Sequence, residues 1–500
     1  MNRKYSSENL RLILGLKLKT FRLEKGLSLV KLAASSGVAV SYISEIEQGK
    51  KYPKPEKMIQ LAHGLGISYD DLVSLRVDKK LDPLTALMES ELVQEFPFDL
   101  FGISARDILN LFSDSPPKAS AFLHTILEIS RTYDMSVENF LLAALRTYQK
   151  LHHNYFPDLE QAAQQFRTEH PELTAVPTAN GLREILISEF GYHLDEDRLS
   201  RHEQLGSFRS VFKAGNPPTL HINSRLLPSQ QAFLLAREIG FLRLGIGQTR
   251  PITSSWLKVE SFDHLINNFQ ASYFAGALML PREDLIADLQ SFLAQPTWQD
   301  QLLLDLLTKH RATPEMFLYR MSQLLPGEFD LEKLFYLRFT NDLSDNEIRL
   351  TKELNLTDDL VPYGLGLREH YCRRWLPLQQ LIATSQRTDS EGQVPRIGIQ
   401  KIRFMGSGNE FLMISLARHM SLSGARQSAM TIGFGLDPAQ RRLIRFADDS
   451  AIPAVEVNET CERCPLPNSE CSLRAAPPVM YQKLASQQAR EAALGDLLAD

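Results

Sequence analysis

The chain has 500 residues, 43% hydrophobic and 23% charged, which is too long for one core and suits a protein of three or four globular domains. Its longest apolar stretches, such as Ala271 to Leu280, are about half of what a bilayer span needs, and Met-Asn-Arg-Lys-Tyr at the start lacks a secretory apolar run, so a cytoplasmic protein with no membrane partner is expected. The net charge of −5 is uneven: residues 1–80 hold 15 Lys/Arg against 8 Asp/Glu, a basic head on an acidic remainder that suits a nucleic-acid-binding module joined to another function.

In chain order, Leu10, Leu14, Leu18 and Phe21 recur at helical spacing, and Gly26 ends that helix. Ser28 can cap a second helix through Leu32 and Ala33, which Gly37 breaks. A third runs from Ser41 to Gln48 and stops at Gly49. Pro53 and Pro55 precede a fourth at Met58 to Leu65, and Asp70 to Leu75 adds a fifth. Further helices are expected at Leu84–Val93 and Ala119–Leu151, separated by Ser115-Pro116-Pro117. Then come a short strand at Leu220–Ile222 and helices at Ser229–Leu244 and Phe262–Leu280. Thr384–Gln393 reads as a loop. Ile397–Phe404, Glu410–Leu416, Ala429–Phe434 and Leu443–Phe446 read as strands, and Met480–Leu498 as a terminal helix. There is no internal repeat.

A helix-turn-helix needs two short helices joined by a tight turn, with the second entering the major groove N-terminus first. Leu29–Ser36 and Ser41–Gln48 provide the helices, Gly37 the turn, and Val38 and Ile43 the buried side. Gly26-Leu27-Ser28, Leu32-Ala33, Gly37-Val38, Ser41 through Lys50 and Leu61-Ala62 together resemble the phage-repressor-like (XRE) regulators. The resemblance implies a double-stranded DNA partner, with Val40, Ser41, Tyr42, Ser44 and Glu45 facing base edges and Ser28, Lys50, Lys51 and Lys54 belonging to the same interface. The lysines would lie near phosphates, while Glu47 reads as structural. The reading side chains are chemically modest, so the operator is not legible.

A zinc-peptidase helix carries His-Glu-x-x-His, two imidazoles on one face beside a glutamate base. Here the corresponding stretch is Arg237-Glu238-Ile239-Gly240-Phe241. It and Asn268 through Pro281 resemble the motif helices of the ImmA/IrrE metallopeptidase-like family, with Asn268 or Gln270 where a third, acidic ligand is usual. Arginine and phenylalanine cannot replace the imidazoles, and Glu238 has no metal-bound water to activate, so the expectation is a non-enzymatic scaffold whose former cleft takes a ligand. Tyr273, Phe274, Met279 and Arg282 are the candidate effector-binding residues.

Cys461-Glu462-Arg463-Cys464 followed by Cys471 places three thiols within eleven residues, and Cys372 is the only other cysteine. Four thiolates suit either tetrahedral zinc or a [4Fe–4S] cluster, and the spacing does not choose.

Tyr273 through Leu278, Pro314 through Phe317, Leu334 through Phe339, Glu369 through Trp375, Thr460 through Cys464 and Arg474 through Pro478 together resemble short-chain fatty-acyl-CoA-responsive regulators, similar to actinobacterial propionate and glyoxylate-cycle regulators. That resemblance implies an acyl-CoA effector, control of acyl-CoA or central carbon genes, and a 4Fe-4S cluster on Cys372, Cys461, Cys464 and Cys471. Arg373, Arg374, Arg441 and Arg442 are secondary candidates for the phosphates. Two other readings are a repressor-cleaving ImmA/IrrE-type metallopeptidase and an antitoxin-like interaction protein.

The expected fold is mostly α with a mixed α+β C-terminal half. A five-helix helix-turn-helix domain (1–78) precedes a helical linker that offers a homodimer seam (79–155). A degenerate, zincin-like α+β region follows (156–345), then a strand-containing C-terminal domain with the four-Cys site (346–500).

Overall fold

A computed structural model describes residues 7–73, 97–102, 137–173, 176–248, 261–342, 347–359, 361, 369–385, 394–420 and 422–499. The chain divides into two compact units, residues 1–144 and 145–500.

The first unit opens with five helices: α1 (Ser7–Glu24), α2 (Leu29–Ser36), α3 (Val40–Glu47), α4 (Pro55–Leu65) and α5 (Tyr69–Val73). Their ends follow local chemistry. Ser28 accepts from the Lys31 N–H at 3.2 Å, and Pro55 starts α4. Gly37 and Gly66, at φ of +68° and +66°, close α2 and α4 in the left-handed conformation. The buried stripe Leu14, Leu18, Leu32, Val38, Ile43, Ile46, Met58, Leu61, Leu65 and Leu72 forms one core. Gly15 has no substitute: a Cβ there would stand 2.3 Å from the Ile46 carbonyl oxygen, so α1 and α3 meet backbone to backbone. The expected helix Leu84–Val93 and most of Ala119–Leu151 lie outside the described residues, as does Leu75. Helix α6 (Val137–Leu151) is described and contains the division between the units.

The second unit holds α7 (Pro157–Glu169), α8 (Ala179–Ser188), β1 (His193–Asp195), α9 (Arg198–Arg201), β2 (Ser210–Lys213) and β3 (Thr219–Ile222). These are followed by α10 (Pro228–Arg243), α11 (Phe262–Met279), α12 (Arg282–Leu293), α13 (Asp300–Lys309) and α14 (Pro314–Phe329). β1, β2 and β3 make a small sheet in the order β1-β3-β2. The remaining elements are β4 (Leu334–Asp342), β5 (Glu347–Asn355), α15 (Leu376–Ser385), β6 (Arg396–Phe404), β7 (Glu410–Met420), β8 (Ser423–Gly435), α16 (Pro438–Leu443), β9 (Ala454–Val457) and α17 (Val479–Ala499). Six of these strands form one sheet, β5-β4-β8-β7-β6-β9, antiparallel except for the β6–β9 pair.

That sheet is a partition with two apolar faces. Alternation sends Leu334, Tyr336, Leu412, Ile414, Leu416, Met430 and Ile432 to one side, where Phe317, Leu318, Met321 and Leu325 of α14 meet them. Phe335, Leu337, Phe339, Phe411, Met413 and Ala429 point to the other side, against Trp375, Leu378, Leu381 and Cys372.

Three expectations are corrected. Residues 345 and 346 fall between β4 and β5, which pair directly, so the boundary expected there cuts one sheet; β4 was missed because a strand buried on both faces shows no alternation. Leu443–Phe446 is not a strand. The Asp437 carboxylate accepts from the Ala439 and Gln440 N–H groups at 2.9 and 3.1 Å and starts α16, and Arg445–Asp448 is a 3₁₀ turn that buries Phe446. The loop expected from Thr384 starts later, because α15 continues to Ser385; residues 386–393 lie outside the described residues. No single described helix is long and apolar enough to cross a membrane.

Candidate functional site

The chain turns by 115° between α2 and α3, the angle range in which the second helix of such a pair can lie in a groove. α3 begins one residue earlier than expected, at Val40, and its buried side is Ile43, Ile46 and Glu47. The opposite side is open: Val40 and Ser41 are exposed, Tyr42, Ser44 and Glu45 half-buried, and Ser28, Lys50, Lys51 and Lys54 exposed. The sequence-derived DNA residues are thus all at least partly accessible, Val40 to Glu45 along α3, Lys50, Lys51 and Lys54 just beyond its C-terminal end, and Ser28 at the start of α2.

Three contacts tune that surface. Lys51 Nζ sits 2.7 Å from Glu45 Oε2 and 5.4 Å from the centre of the Tyr42 ring, and the Glu45 hydrogen bond raises the lysine pKa. Gln48 Nε2 donates to Ser44 Oγ at 2.9 Å, which leaves the serine hydroxyl proton free to point at a base. Behind them, Arg22 clamps Glu47 through two bonds of 2.7 and 2.8 Å and donates to the Leu27 carbonyl at 2.9 Å. The structural role expected for Glu47 is this tie between α1 and the base of α3.

In the second unit, α10 carries the altered peptidase motif. Glu238 is buried and accepts from the Tyr192 hydroxyl at 2.7 Å. Arg237 donates to Ser210 Oγ at 3.3 Å, its Nε has no partner, and burial lowers its pKa to about 10. Phe241 is core, and Gly240 packs against the α11 backbone at Ala271. Neither Arg237 nor Phe241 offers a lone pair where zinc needs one, so these residues do not fit the peptidase metal.

The expected effector residues are engaged with protein partners. Tyr273, Phe274 and Met279 are 0–1% exposed. The Tyr273 hydroxyl donates to Glu160 at 2.7 Å and accepts from the Phe156 N–H at 3.2 Å. Arg320 grips the same carboxylate with bonds of 2.6 and 2.8 Å, so α7, α11 and α14 are locked by one polar knot. Arg282 pairs with Glu328 at 2.6 Å. Packing accounts for Tyr273, Phe274 and Met279, and the Glu328 ion pair for Arg282, whose side chain stays 39% exposed. Arg441 is likewise held, by Glu410 and Asp448 at 2.8 and 2.7 Å.

The fold does gather three thiols. A Tyr371–Thr460 bridge, the Cys372 N–H to Glu459 carbonyl bond (3.1 Å) and the Cys461 N–H to His370 carbonyl bond (2.8 Å) lay residues 370–372 beside 459–461. Cys372, Cys461 and Cys464 are buried; Cys471 is half-buried. Burial and then the nearby Cys461 and Cys464 push the Cys372 thiol up. The Ala475 N–H donates to Cys461 Sγ at 3.4 Å and Arg474 Nη2 approaches Cys464 Sγ at 3.9 Å, polar support of the sort that tunes a sulfur-ligated metal. The donor set therefore fits a thiolate-held metal centre. No three of these sulfurs come within 4.8 Å of one another. The one described trio of ligand atoms that does so is His170 with Glu172 and Glu189, at 3.0 and 3.4 Å, and both carboxylates are solvent-exposed.

An exposed recognition helix in a lysine-rimmed head defines a helix-turn-helix DNA-binding domain, and with it a transcription regulator. Residues 18–72 match the helix-turn-helix family, and residues 193–322 match the IrrE N-terminal-like domain. The chain is 33% identical over 66 residues to an uncharacterized HTH-type transcriptional regulator, y4dJ, of Sinorhizobium fredii (strain NBRC 101917 / NGR234), covering 86% of that protein and 13% of this chain. Through this head the chain belongs to the family of HTH-type transcriptional regulators. A Mycobacterium tuberculosis transcriptional regulator is similar over 66% of this chain and 92% of its own, at 19% identity and a TM-score of 0.47.

Proposed function

We propose that this regulator acts as a homodimer whose DNA affinity is set by a short-chain acyl-CoA or related metabolite, and that it controls genes of acyl-CoA or central carbon metabolism. The carrying observation is an intact DNA-reading head on a body that keeps the IrrE-like helices α10 and α11 while Arg237 and Phe241 replace the zinc ligands. A body kept folded without its chemistry is free to serve as a receiver. A ligand can shift DNA affinity only by binding one arrangement of the protein better than another.

Cys372, Cys461, Cys464 and Cys471 would hold a [4Fe–4S] cluster. Tetrahedral zinc with bonds of about 2.3 Å sets its sulfurs only about 3.8 Å apart, whereas a cluster takes thiolates set wider; that no three of these sulfurs lie within 4.8 Å of one another supports the cluster. When bound, a cluster supplies one-electron redox chemistry or a structural tie; the residues themselves anchor the loop to residues 370–372.

The test is DNA binding by the anaerobically purified full chain to its own upstream region, with and without acetyl-CoA or propionyl-CoA, together with iron and zinc analysis. The proposal expects a change in apparent Kd of about fivefold or more, four iron atoms per chain, and loss of the metal in Cys461→Ser. An unchanged Kd with both acyl-CoAs refutes the effector assignment, and one zinc with no iron refutes the cluster.

A further inference from the structure

The sheet face that packs against α14 changes character at one end. Arg338 and Lys352 are cross-strand partners on β4 and β5, in register with Tyr336 and Leu354, which belong to the core on that face. Arg418 on β7 continues the row of Leu412, Ile414 and Leu416 and pairs with Ser428, whose hydroxyl accepts from Arg338 Nε at 3.0 Å. The apolar face therefore ends in three cations. Arg209 joins them, and its neighbour Ser210 accepts from Arg237 of α10. Glu315, at the start of α14, opposes them, 3.1 Å from Arg338.

The charge does not balance. Five cations face two carboxylates: Glu315 lies among Arg209, Arg338, Lys352 and Arg418, and Glu238, which accepts from the Tyr192 hydroxyl and keeps its charge, lies beside Arg237. Arg209, Lys352 and Arg418 form no ion pair among the described residues. Lys352 Nζ rests on the Tyr319 ring, 3.3 Å from its centre, in place of a counter-ion. The groups respond as an excess of positive charge demands. Burial alone would raise the Glu315 carboxyl, but the cations hold it down to about 2; burial lowers the Lys352 ammonium to about 8. The excess of positive charge stands without a matching set of carboxylates among the described residues. The side chains of Arg338 and Glu315 keep 14% and 22% of their surface open, and Arg209, Arg237, Lys352 and Arg418 are half-buried, so solvent reaches the cluster.

We infer that this cluster binds a multiply charged phosphoryl group, held by Arg338, Lys352 and Arg418 from the sheet and by Arg209 and Arg237 from the IrrE-like region. Guanidinium forks match phosphate oxygens in pairs, and the cluster is the place where the IrrE-like region meets the large sheet. An anion there ties β4, β5 and β7 to α10. The inference deepens the ligand-sensing reading and rests on it for its purpose, but its test reads binding rather than DNA affinity, so the two can fail separately.

The experiment is calorimetric titration of the full chain with sodium pyrophosphate, ADP and citrate at fixed ionic strength. Saturable pyrophosphate binding is expected, weakened about tenfold in Lys352→Gln and in Arg418→Gln. Lys51→Gln, on the DNA surface, should bind as the native chain does. Glu315→Gln provides a reading of opposite sign: removing the carboxylate should tighten pyrophosphate binding, which a merely destabilised fold would not do. Tighter binding of ADP than of pyrophosphate identifies a phosphate ester of a larger molecule; the reverse identifies free pyrophosphate. The inference is overturned if citrate binds more tightly than both phosphates, if Lys51→Gln loses the site while Lys352→Gln keeps it, or if the native chain gives no saturable heat.

Discussion

Replacing Glu47 by alanine removes one half of a buried clamp. The Arg22 and Glu47 side chains are 9% and 6% exposed and meet through two bonds, and the glutamate hydrogen bond raises the arginine pKa. After the change, Arg22 keeps only its bond to the Leu27 carbonyl and remains charged in the core. Breaking a buried pair costs about 3–5 kcal/mol, and the retained bond argues for about 3. A domain of this size holds a total stability of only about 3–10 kcal/mol, at 0.05–0.15 kcal/mol per residue. Its melting temperature moves by about 4–8 °C per kcal/mol, so the head transition of the full chain in scanning calorimetry should fall by about 12 °C or more. The double variant Arg22→Met, Glu47→Leu keeps the volume without the charges and should recover most of that loss. A Glu47→Ala transition within about 2 °C of the native one, or a double variant as unstable as the single, refutes the reasoning.

Tyr273→Phe should destabilise the second unit by about 1–3 kcal/mol, because the Phe156 N–H and the Glu160 carboxylate lose a shared partner in the core. Denaturant unfolding checks this; an unchanged midpoint would mean that the Tyr273 hydroxyl does not hold the knot. Lys352 gives a pH signature. Its folded pKa, about 8, lies below the unfolded value of about 10.4, so the unfolded chain binds more protons between those values and this residue's contribution makes stability rise with pH across that window. Lys352→Gln should therefore melt above the native chain at pH 7, with the gap closing as pH approaches about 10. A gap that is constant with pH contradicts the depressed pKa.

The DNA-binding head was legible because its signals are local. Ser28 caps, Gly37 and Gly49 turn, and Pro55 starts the next helix within a few residues of the side chains they position. The three clustered cysteines were legible for the same reason, whereas Cys372 reaches them only through the Tyr371–Thr460 bridge. The partners of the expected effector residues were not legible, because Glu160 and Glu328, which engage Tyr273 and Arg282, lie far from them in the sequence. The basic cluster was invisible. Its residues run from Arg209 to Arg418, each alone in its segment, and only strand register and the packing of α14 on the sheet assemble them. The missed strand β4 is the element on which that assembly turns.

The most direct measurement is the salt dependence of full-length protein binding to duplex DNA carrying its own upstream region. If Lys50, Lys51 and Lys54 lie on phosphates, log Kd should rise linearly with log salt, and each lysine replaced by glutamine should lower the slope by about 0.9 while Ser41→Ala chiefly narrows the preference between sequences. A Kd that is indifferent to salt, or slopes unaltered by all three lysine changes, would contradict the assignment of this surface to DNA.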